Sequence, residues 1–116
     1  MPTRNLFADA EAPLAGERFD TLLAHQNLHI ERIVSSATAH TDTCVQTQDE
    51  WVVLIQGEAE LQVADTTLTL TPGDHVFLPA GTPHAVKRTR AGTLWLAVHL
   101  HPESTPPAAA AGENTG

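Results

Sequence analysis

The 116-residue sequence predicts a small all-β domain that folds as a sandwich or a barrel. Apolar and polar residues alternate over short stretches rich in β-branched and aromatic residues, which is the pattern of strands buried on one face. Turn residues interrupt these stretches at intervals of roughly 8–12 residues, as in sandwiches and barrels. No stretch shows a convincing helical period, so the regular elements are expected to be strands.

The N-terminal part of the domain is predicted to form a pair of strands. Phe19–His25 is compatible with a strand or with one turn of helix, and we favour a strand that pairs through a turn at residues 25–27. Leu28–Ser36 alternates clearly between two faces. One of these faces carries His29, Glu31, Ile33 and Ser35.

Further short strands are predicted downstream, with turns between them. Gly57 ends one strand, and Pro72 and Gly73 stand at the centre of a four-residue segment that suits a type II turn. The predicted strands are Trp51–Gln56, Ala59–Val63, a stretch around Leu68 and Leu70, His75–Leu78, a return strand that begins at His84, and Leu94–His101.

The domain boundaries follow from length and composition. A chain of this size forms one domain, and we assign residues 18–101 to a single barrel. Residues 1–17 are expected to be a flexible N-terminal segment. Residues 102–116 hold three prolines and no large apolar side chain, which predicts a disordered tail rich in proline and alanine. Three apolar side chains of the N-terminal segment are expected to anchor it to the barrel: Leu6, Phe7 and Leu14.

The charge balance and the cysteine content exclude several classes of function. Fourteen acidic residues against six basic ones give a formal net charge of -8, which disfavours nucleic acid and anionic membranes as partners. The single cysteine, Cys44, excludes an internal disulfide and a metal site made only of cysteines. No apolar run approaches the roughly 18 residues of a transmembrane helix, and the N-terminus lacks the apolar stretch of a signal peptide. We therefore expect a soluble cytoplasmic protein.

Two spaced motifs resemble the signatures of the cupin superfamily. The segment 73–84 has the pattern Gly-x5-Pro-x-Gly-x2-His of the second cupin motif, and Arg88 stands where the family usually has Asn. Upstream, the spacing Glu50-x6-Gly57 matches the end of the first motif. Cys44 and Gln46 occupy the places of that motif's two histidines. The chain is thus similar to small single-domain bacterial cupins that also lack the His-x-His pair.

The resemblance implies a fold and a site. The fold is a double-stranded β-helix, or jelly-roll, barrel in which Glu50 and His84 face each other inside a pocket. The cofactor that the family implies is a divalent metal ion (Zn, Fe, Mn or Ni), and the ligand set that the motifs supply is Glu50, His84, Gln46 and Cys44. Cupins often pair, so a homodimer is expected.

Other roles for these residues stay open at this point. Glu50 and His84 can form a buried hydrogen-bonded pair in a pocket without metal, since a buried carboxylate needs a partner. Cys44 is most often a small buried apolar residue in such a context, and its alternatives are a metal ligand and a reactive thiol. Gln46 suits hydrogen bonding in the pocket better than metal ligation.

Four more residues are candidates for binding the substrate. By strand alternation Arg88 shares the face of His84, where it could hold a carboxylate or phosphate. Trp95 and His99 share a face of the last strand, and the sequence leaves open whether that face points inward. Trp51 adjoins Glu50 and completes this set.

Two functions fit these residues, and the sequence does not decide whether the protein is an enzyme. One is a metal-dependent enzyme that acts on a small polar or carboxylated metabolite, with the metal as Lewis acid. The alternative is a non-catalytic small-molecule binding or sensor module that uses the same pocket without metal. In both cases the partner is a small-molecule ligand. The barrel fold does not decide between the two functions, since one fold hosts many activities.

Overall fold

Residues 3–102 are described by a computed structural model, and within them every regular element is a β-strand. The hairpin turns and the strands follow the order expected from the alternating pattern. In chain order the strands are β1 (Glu17–His25), β2 (Leu28–Ser35), β3 (Asp49–Gln56), β4 (Ala59–Val63), β5 (Thr66–Leu70), β6 (His75–Leu78), β7 (His84–Thr89) and β8 (Thr93–Leu100).

The strands form two antiparallel sheets that share one core. The larger sheet has the order β1-β2-β8-β3-β6 and the smaller has the order β5-β4-β7. Buried apolar side chains from both sheets make a single cluster, which includes Ile33, Leu54, Leu61, Leu70 and Trp95. The predicted all-β, jelly-roll barrel fold is therefore confirmed.

Alternation along β3 shows how the barrel sorts its side chains. Glu50, Val52 and Leu54 are buried, whereas Trp51 between them is exposed. Successive residues of a strand point to opposite faces, so a carboxylate at position 50 necessarily faces the same interior as the apolar core.

The ambiguous N-terminal stretch is a strand, as we favoured. It pairs with β2 from Glu17↔Ser35 to His25↔Leu28. The predicted strand ends match the observed ones or differ from them by at most two residues, as for Ala59–Val63, which is exact, and Trp51–Gln56, which begins at Asp49.

Gly57 is the motif glycine whose position is most constrained. Its φ is +95°, and a Cβ at this residue would lie 2.7 Å from Thr93 Cα. Gly73 has the same φ, in the turn where Asp74 N donates to Thr71 O over 3.0 Å, but a Cβ there would meet nothing within 4 Å. Glycine is therefore required at 57 for space as well as for conformation.

The N-terminal segment is held to the barrel by an arginine. The buried Arg32 guanidinium donates to the carbonyl oxygens of Leu6 and Ala8 over 2.9 and 2.6 Å, and to Asp20 Oδ2 over 2.8 Å. Phe7 and Leu14 are exposed, so the expectation that they anchor this segment is wrong. Polar contacts to the Arg32 side chain replace the apolar anchors that the composition suggested.

The predicted tail at 102–116 lies outside the described residues except for Pro102. Among the described residues, no helix has the length and apolar character needed to cross a membrane.

Candidate functional site

A cavity of about 260 Å³ opens between the two sheets. Its walls are largely apolar and include Ile33, Val52, Leu61, Leu78 and Trp95. Its ionisable groups are Glu17, Glu31, Asp42, Glu50, His84 and His99, together with the thiol of Cys44. Ligand sites are typically apolar clefts with a few convergent polar groups, so this cavity is the candidate site.

Glu50 lies between two imidazoles at the inner wall of the cavity. Its Oε1 is 3.9 Å from His84 Nε2 and 4.0 Å from His99 Nδ1. The contact with His99 follows from sheet register, because Glu50 on β3 is paired directly with His99 on β8. The structure thus brings Glu50 and His84 together as the resemblance implied, and it settles that His99 points inward.

The Glu50 carboxyl is almost inaccessible to solvent. Only 6% of the residue is exposed. Burial raises the pKa of Glu50, because an ionised carboxylate loses its hydration there, and nearby Glu31 raises it further. Favourable charge interactions with His99 and His84 and a hydrogen bond with Gln46 oppose this rise without cancelling it.

His84 is oriented by the backbone at the start of β7. Its Nδ1 lies 3.0 Å from the carbonyl oxygen of Thr82, which accepts the Nδ1 proton. This leaves Nε2 facing the cavity, where it lies 3.5 Å from Cys44 Sγ. Backbone hydrogen bonds in both directions between Cys44 and His84 fix the two side chains side by side.

Both ring nitrogens of His99 have protein partners. Nε2 lies 3.0 Å from Glu31 Oε2, and Nδ1 lies 3.2 Å from Gln48 Nε2. The hydrogen bond with Glu31 raises the pKa of His99; burial opposes this rise, and the Glu50 charge adds to it. His99 is therefore held as one member of a cluster with two carboxylates.

Cys44 is exposed and lines the cavity, so its interpretation as a buried apolar residue is wrong. Partial desolvation of the sulfur at the cavity wall raises the pKa of its thiol, and so does the Glu50 carboxylate. A raised pKa favours the neutral thiol over the nucleophilic thiolate. Gln46 also lines the cavity and hydrogen-bonds to Glu50.

A second carboxylate of the cavity wall, that of the half-buried Glu17, is positioned through Trp95. The Trp95 Nε1 donates to Ser35 Oγ over 3.0 Å, and Ser35 Oγ donates to Glu17 Oε2 over 2.8 Å. Burial raises the pKa of Glu17, which Glu31 and Glu50 raise further, while the Ser35 hydrogen bond opposes the rise. Trp95 therefore lies in the cavity wall, where a substrate-binding residue is expected to lie.

Two predicted substrate-binding residues lie outside the cavity. Trp51 points to the opposite face of β3 and packs against His75, with ring centroids 5.4 Å apart. Arg88 is exposed and donates to Glu60 Oε2 over 2.9 Å. A bulge between Val86 and Arg88 in the β4–β7 pairing breaks the alternation, so the expectation that Arg88 shares the face of His84 is wrong.

Several functional groups of the site were not singled out from the sequence. Glu17, Glu31 and Asp42 line the cavity, and Gln48 contacts His99. A signal for Glu31 was present, because it alternates onto the same face of β2 as the apolar Ile33. An acidic residue on the core-facing side of a strand indicates a buried polar site.

The donors present do not fit a resident metal ion well. Within residues 3–102, no group of three or more His, Cys, Asp or Glu side chains is arranged to hold one. His99 is occupied at both nitrogens, and the raised pKa of Cys44 disfavours the thiolate that a metal needs. Only His84 Nε2 and Glu50 Oε1 remain as strong donors in the predicted ligand set.

The sequence and the structure were compared with known proteins. Residues 36–99 match the Cupin domain family. Among curated proteins, none matches the sequence.

Several solved structures are similar to this chain. A protein from Ralstonia eutropha JMP134, described as a candidate mannose-6-phosphate isomerase, is 33% identical over 88% of this chain and 100% of its own, with a TM-score of 0.80. A cupin superfamily protein from Desulfitobacterium hafniense DCB-2 is 20% identical over 88% and 95%, with a TM-score of 0.75. KdgF from Halomonas sp. is 17% identical over 76% and 81%, with a TM-score of 0.70. The last two likenesses concern the fold alone.

Proposed function

The chain belongs to the cupin family, and from that premise we propose that its barrel binds a small organic molecule and transfers protons on it through Glu50, His84 and His99. The observation that carries this proposal is the Glu50 carboxylate, buried at the cavity wall with two imidazole nitrogens about 4 Å from its Oε1.

The cavity suits a small ligand. Its volume of about 260 Å³ is just below the range of roughly 300–1,000 Å³ that is usual for ligand sites. Apolar walls would remove water from the ligand, and the polar groups are gathered near Glu50, where they would orient it.

The cluster suits acid–base chemistry. A general acid or base works best when its pKa is near the working pH, and burial moves the pKa of Glu50 upward in that direction. In the proposed step the Glu50 carboxylate accepts a proton from one atom of the bound molecule, and a protonated imidazole, that of His84 or His99, donates a proton to another atom of it. Glu31 holds His99 in place for this exchange.

The 33% identical relative supports the type of chemistry. It is described as a candidate mannose-6-phosphate isomerase, and interconversion of an aldose and a ketose is a proton-transfer reaction. We transfer only this reaction type to the chain, and not the substrate.

Metals are common in the cupin family, but the side chains present fit one poorly, so no step of the proposal passes through a metal. If a divalent ion is bound, His84 and Glu50 are the residues that would hold it, and it would supply Lewis-acid catalysis.

A non-catalytic binding module is the second candidate. It is favoured by one observation: both nitrogens of His99 are already hydrogen-bonded, which restrains the ring from exchanging a proton with a ligand. The two functions share the cavity and differ in whether a bound molecule exchanges protons.

The test begins with a thermal-shift screen of the protein against small metabolites. Each stabilising ligand is then incubated with protein in D₂O, and deuterium incorporation at its carbon-bound positions is followed by proton NMR. We expect incorporation with the unmodified protein, and a loss of about 100-fold or more in Glu50→Gln, as general acid–base groups contribute roughly that much. Glu58→Gln, which changes an acid outside the cavity, is the control.

Stabilising ligands that bind without any deuterium exchange would support the binding module and overturn the catalytic proposal. Deuterium incorporation that persists in Glu50→Gln would overturn the role of Glu50. A screen without a single stabilising ligand would contradict both functions.

A further inference from the structure

The charges that line the cavity indicate which class of ligand it binds. We propose that it binds small amines with an apolar body, as organic cations, and that it rejects carboxylates and phosphates. This inference rests on the proposed function only in assuming that the cavity binds a small molecule.

The cavity is lined by four carboxyl groups and, among the residues that the structure describes there, by no lysine or arginine. Its two histidines supply at most two positive charges. The lining carboxyl groups are those of Glu17, Glu31, Asp42 and Glu50. A concave apolar surface with an excess of one sign of charge attracts the opposite sign and repels its own.

The basic residues nearest in sequence to His84 are turned away from the cavity. Arg88 pairs with Glu60 over 2.9 Å, and Arg90 pairs with Glu58 over 3.3 Å, both at the surface. Lys87 is exposed at the bulge of β7. None of the three is available inside the barrel to receive an anion.

Two carboxylates of the cavity, the buried Glu50 and the half-buried Glu17, have acceptor capacity left for a ligand. Glu50 is 94% buried and accepts from Gln46, while the imidazoles near it lie beyond hydrogen-bond distance. Glu17 accepts from the Ser35 hydroxyl. A carboxylate has about four acceptor sites, so both groups can receive N–H donors from an ammonium ion in the cavity.

The walls favour an apolar body next to this positive group. The indole of Trp95 and the ring of Phe19 both line the cavity. Aromatic rings attract cations through their faces, and more strongly in a site with little water. An amine on a small apolar frame would therefore satisfy the acidic and the apolar surfaces together.

The same geometry argues against a phosphorylated sugar. A phosphate group carries about two negative charges near neutral pH, and it would enter a cavity with four carboxyl groups and no guanidinium or ammonium among the described lining residues. The substrate named for the Ralstonia eutropha relative is thus not the ligand that this cavity selects.

The test uses three probes of similar size and different charge: benzylamine, benzyl alcohol and benzoate. Binding to the full-length protein is measured by isothermal titration calorimetry at pH 7.5 and low salt. We expect benzylamine to bind at least about tenfold more tightly than benzyl alcohol, and benzoate more weakly than both. The preference for the amine should shrink as salt is added.

Charge-removing variants test the assignment of the carboxylates. Glu50→Gln and Glu17→Gln should each reduce the preference for benzylamine over benzyl alcohol about threefold or more, and Glu58→Gln should leave it unchanged. Thermal unfolding of each variant shows whether it is folded.

The outcomes separate this inference from the proposed function. Benzoate binding as tightly as benzylamine, or an amine preference that survives in both cavity variants, would overturn the inference and leave a small-molecule site in place. Failure of all three probes to bind would count against the inference and against the binding cavity itself.

Discussion

His99 Nε2 lies 3.0 Å from Glu31 Oε2, and this contact joins two neighbouring strands of the larger sheet inside the barrel. The hydrogen bond turns the opposite nitrogen of the imidazole towards Glu50, at 4.0 Å. Glu31, which belongs to neither cupin motif, therefore orients the His99 ring towards Glu50.

The stability of the protein should fall as pH rises above about 4.5. The pKa of Glu50 and of Glu17 is raised from 4.5, and the pKa of His99 is raised from 6.5. The native state therefore keeps protons that the unfolded chain has already released. The contribution of these three groups to the free energy of unfolding is complete below their pKa in the unfolded chain, and it is lost as pH rises through their pKa in the native state. Urea unfolding between pH 4.5 and pH 9 measures this slope.

Two variants assign the slope to the cluster. Glu50→Gln should flatten the part of the slope at lower pH, and His99→Gln should flatten the part above pH 6.5. Glu31 and Glu50 face the His99 ring, and the rings of His29 and His101 lie beside it, with centroids 5.7 and 6.2 Å away. Asp20 has a lowered pKa and the opposite sign, but it acts below pH 3.8. A stability that rises steadily from pH 5 to pH 8 would contradict the prediction.

The alternation of the sequence was sufficient to predict the strands, whereas the inward position of Glu50 came from the family resemblance. Alternation failed at Arg88, where the bulge of β7 adds one residue and reverses the faces that follow. A bulge has no clear signature in a single sequence. Strict alternation was therefore assumed from His84 to Arg88, across the bulge.

The motifs predicted one side of the cluster and missed the other. Glu50 and His84 stand at fixed motif positions, whereas Glu31 and Glu17 become neighbours of this pair only because β1 and β2 pack beside β8. Such pairings join residues far apart in the chain, and spacing along the sequence carries no information about them. The acidic character of the cavity was therefore not predictable from the motifs.

Gly57→Ala should destabilise the fold far more than Gly73→Ala. Both glycines have a φ of +95°, so both variants carry the strain of a side chain in the left-handed region, about 1–2 kcal/mol. At 57 the new Cβ would also lie 2.7 Å from Thr93 Cα, whereas at 73 it meets open space. We expect a total loss of about 3 kcal/mol or more for Gly57→Ala by urea unfolding. Equal losses would show that Thr93 moves aside freely.

Arg32→Gln should release the N-terminal segment. The guanidinium joins the carbonyls of Leu6 and Ala8 to Asp20, and the shorter amide cannot reach all three. We expect a loss of about 2–4 kcal/mol in unfolding free energy, because buried charged hydrogen bonds are broken. Limited proteolysis should also become faster within residues 3–16.

Arg88→Gln is the matched control, since it removes an arginine from an exposed ion pair. Such pairs contribute about 0–1 kcal/mol. If Arg32→Gln proved as mild as Arg88→Gln, the N-terminal segment would be held by contacts other than the guanidinium.

The homodimer stays a prediction, and the outer face of the larger sheet indicates where the second copy would bind. One apolar residue from each of its five strands lies in a continuous row across this face: Leu23, Ile30, Val98, Trp51 and Phe77. Light scattering should give about twice the 12.4 kDa of one chain. Phe77→Glu should yield a monomer because a charge would enter the row, while Val45→Glu, at an exposed apolar residue in a loop, should not. A monomer for the unmodified protein would rule the interface out.

Removal of metal should leave the protein unchanged. A resident divalent ion would need a third strong donor beside His84 and Glu50, and His99 can become one only by giving up its contact with Gln48 or Glu31. We therefore expect protein purified without an affinity tag to hold far less than one metal ion per chain. Dialysis against a chelator should shift the Tm by less than about 1 °C, because an ion bound to the native state alone would otherwise stabilise it. Near-stoichiometric metal that is lost in His84→Ala would overturn this expectation, and would show that the cluster rearranges around an ion.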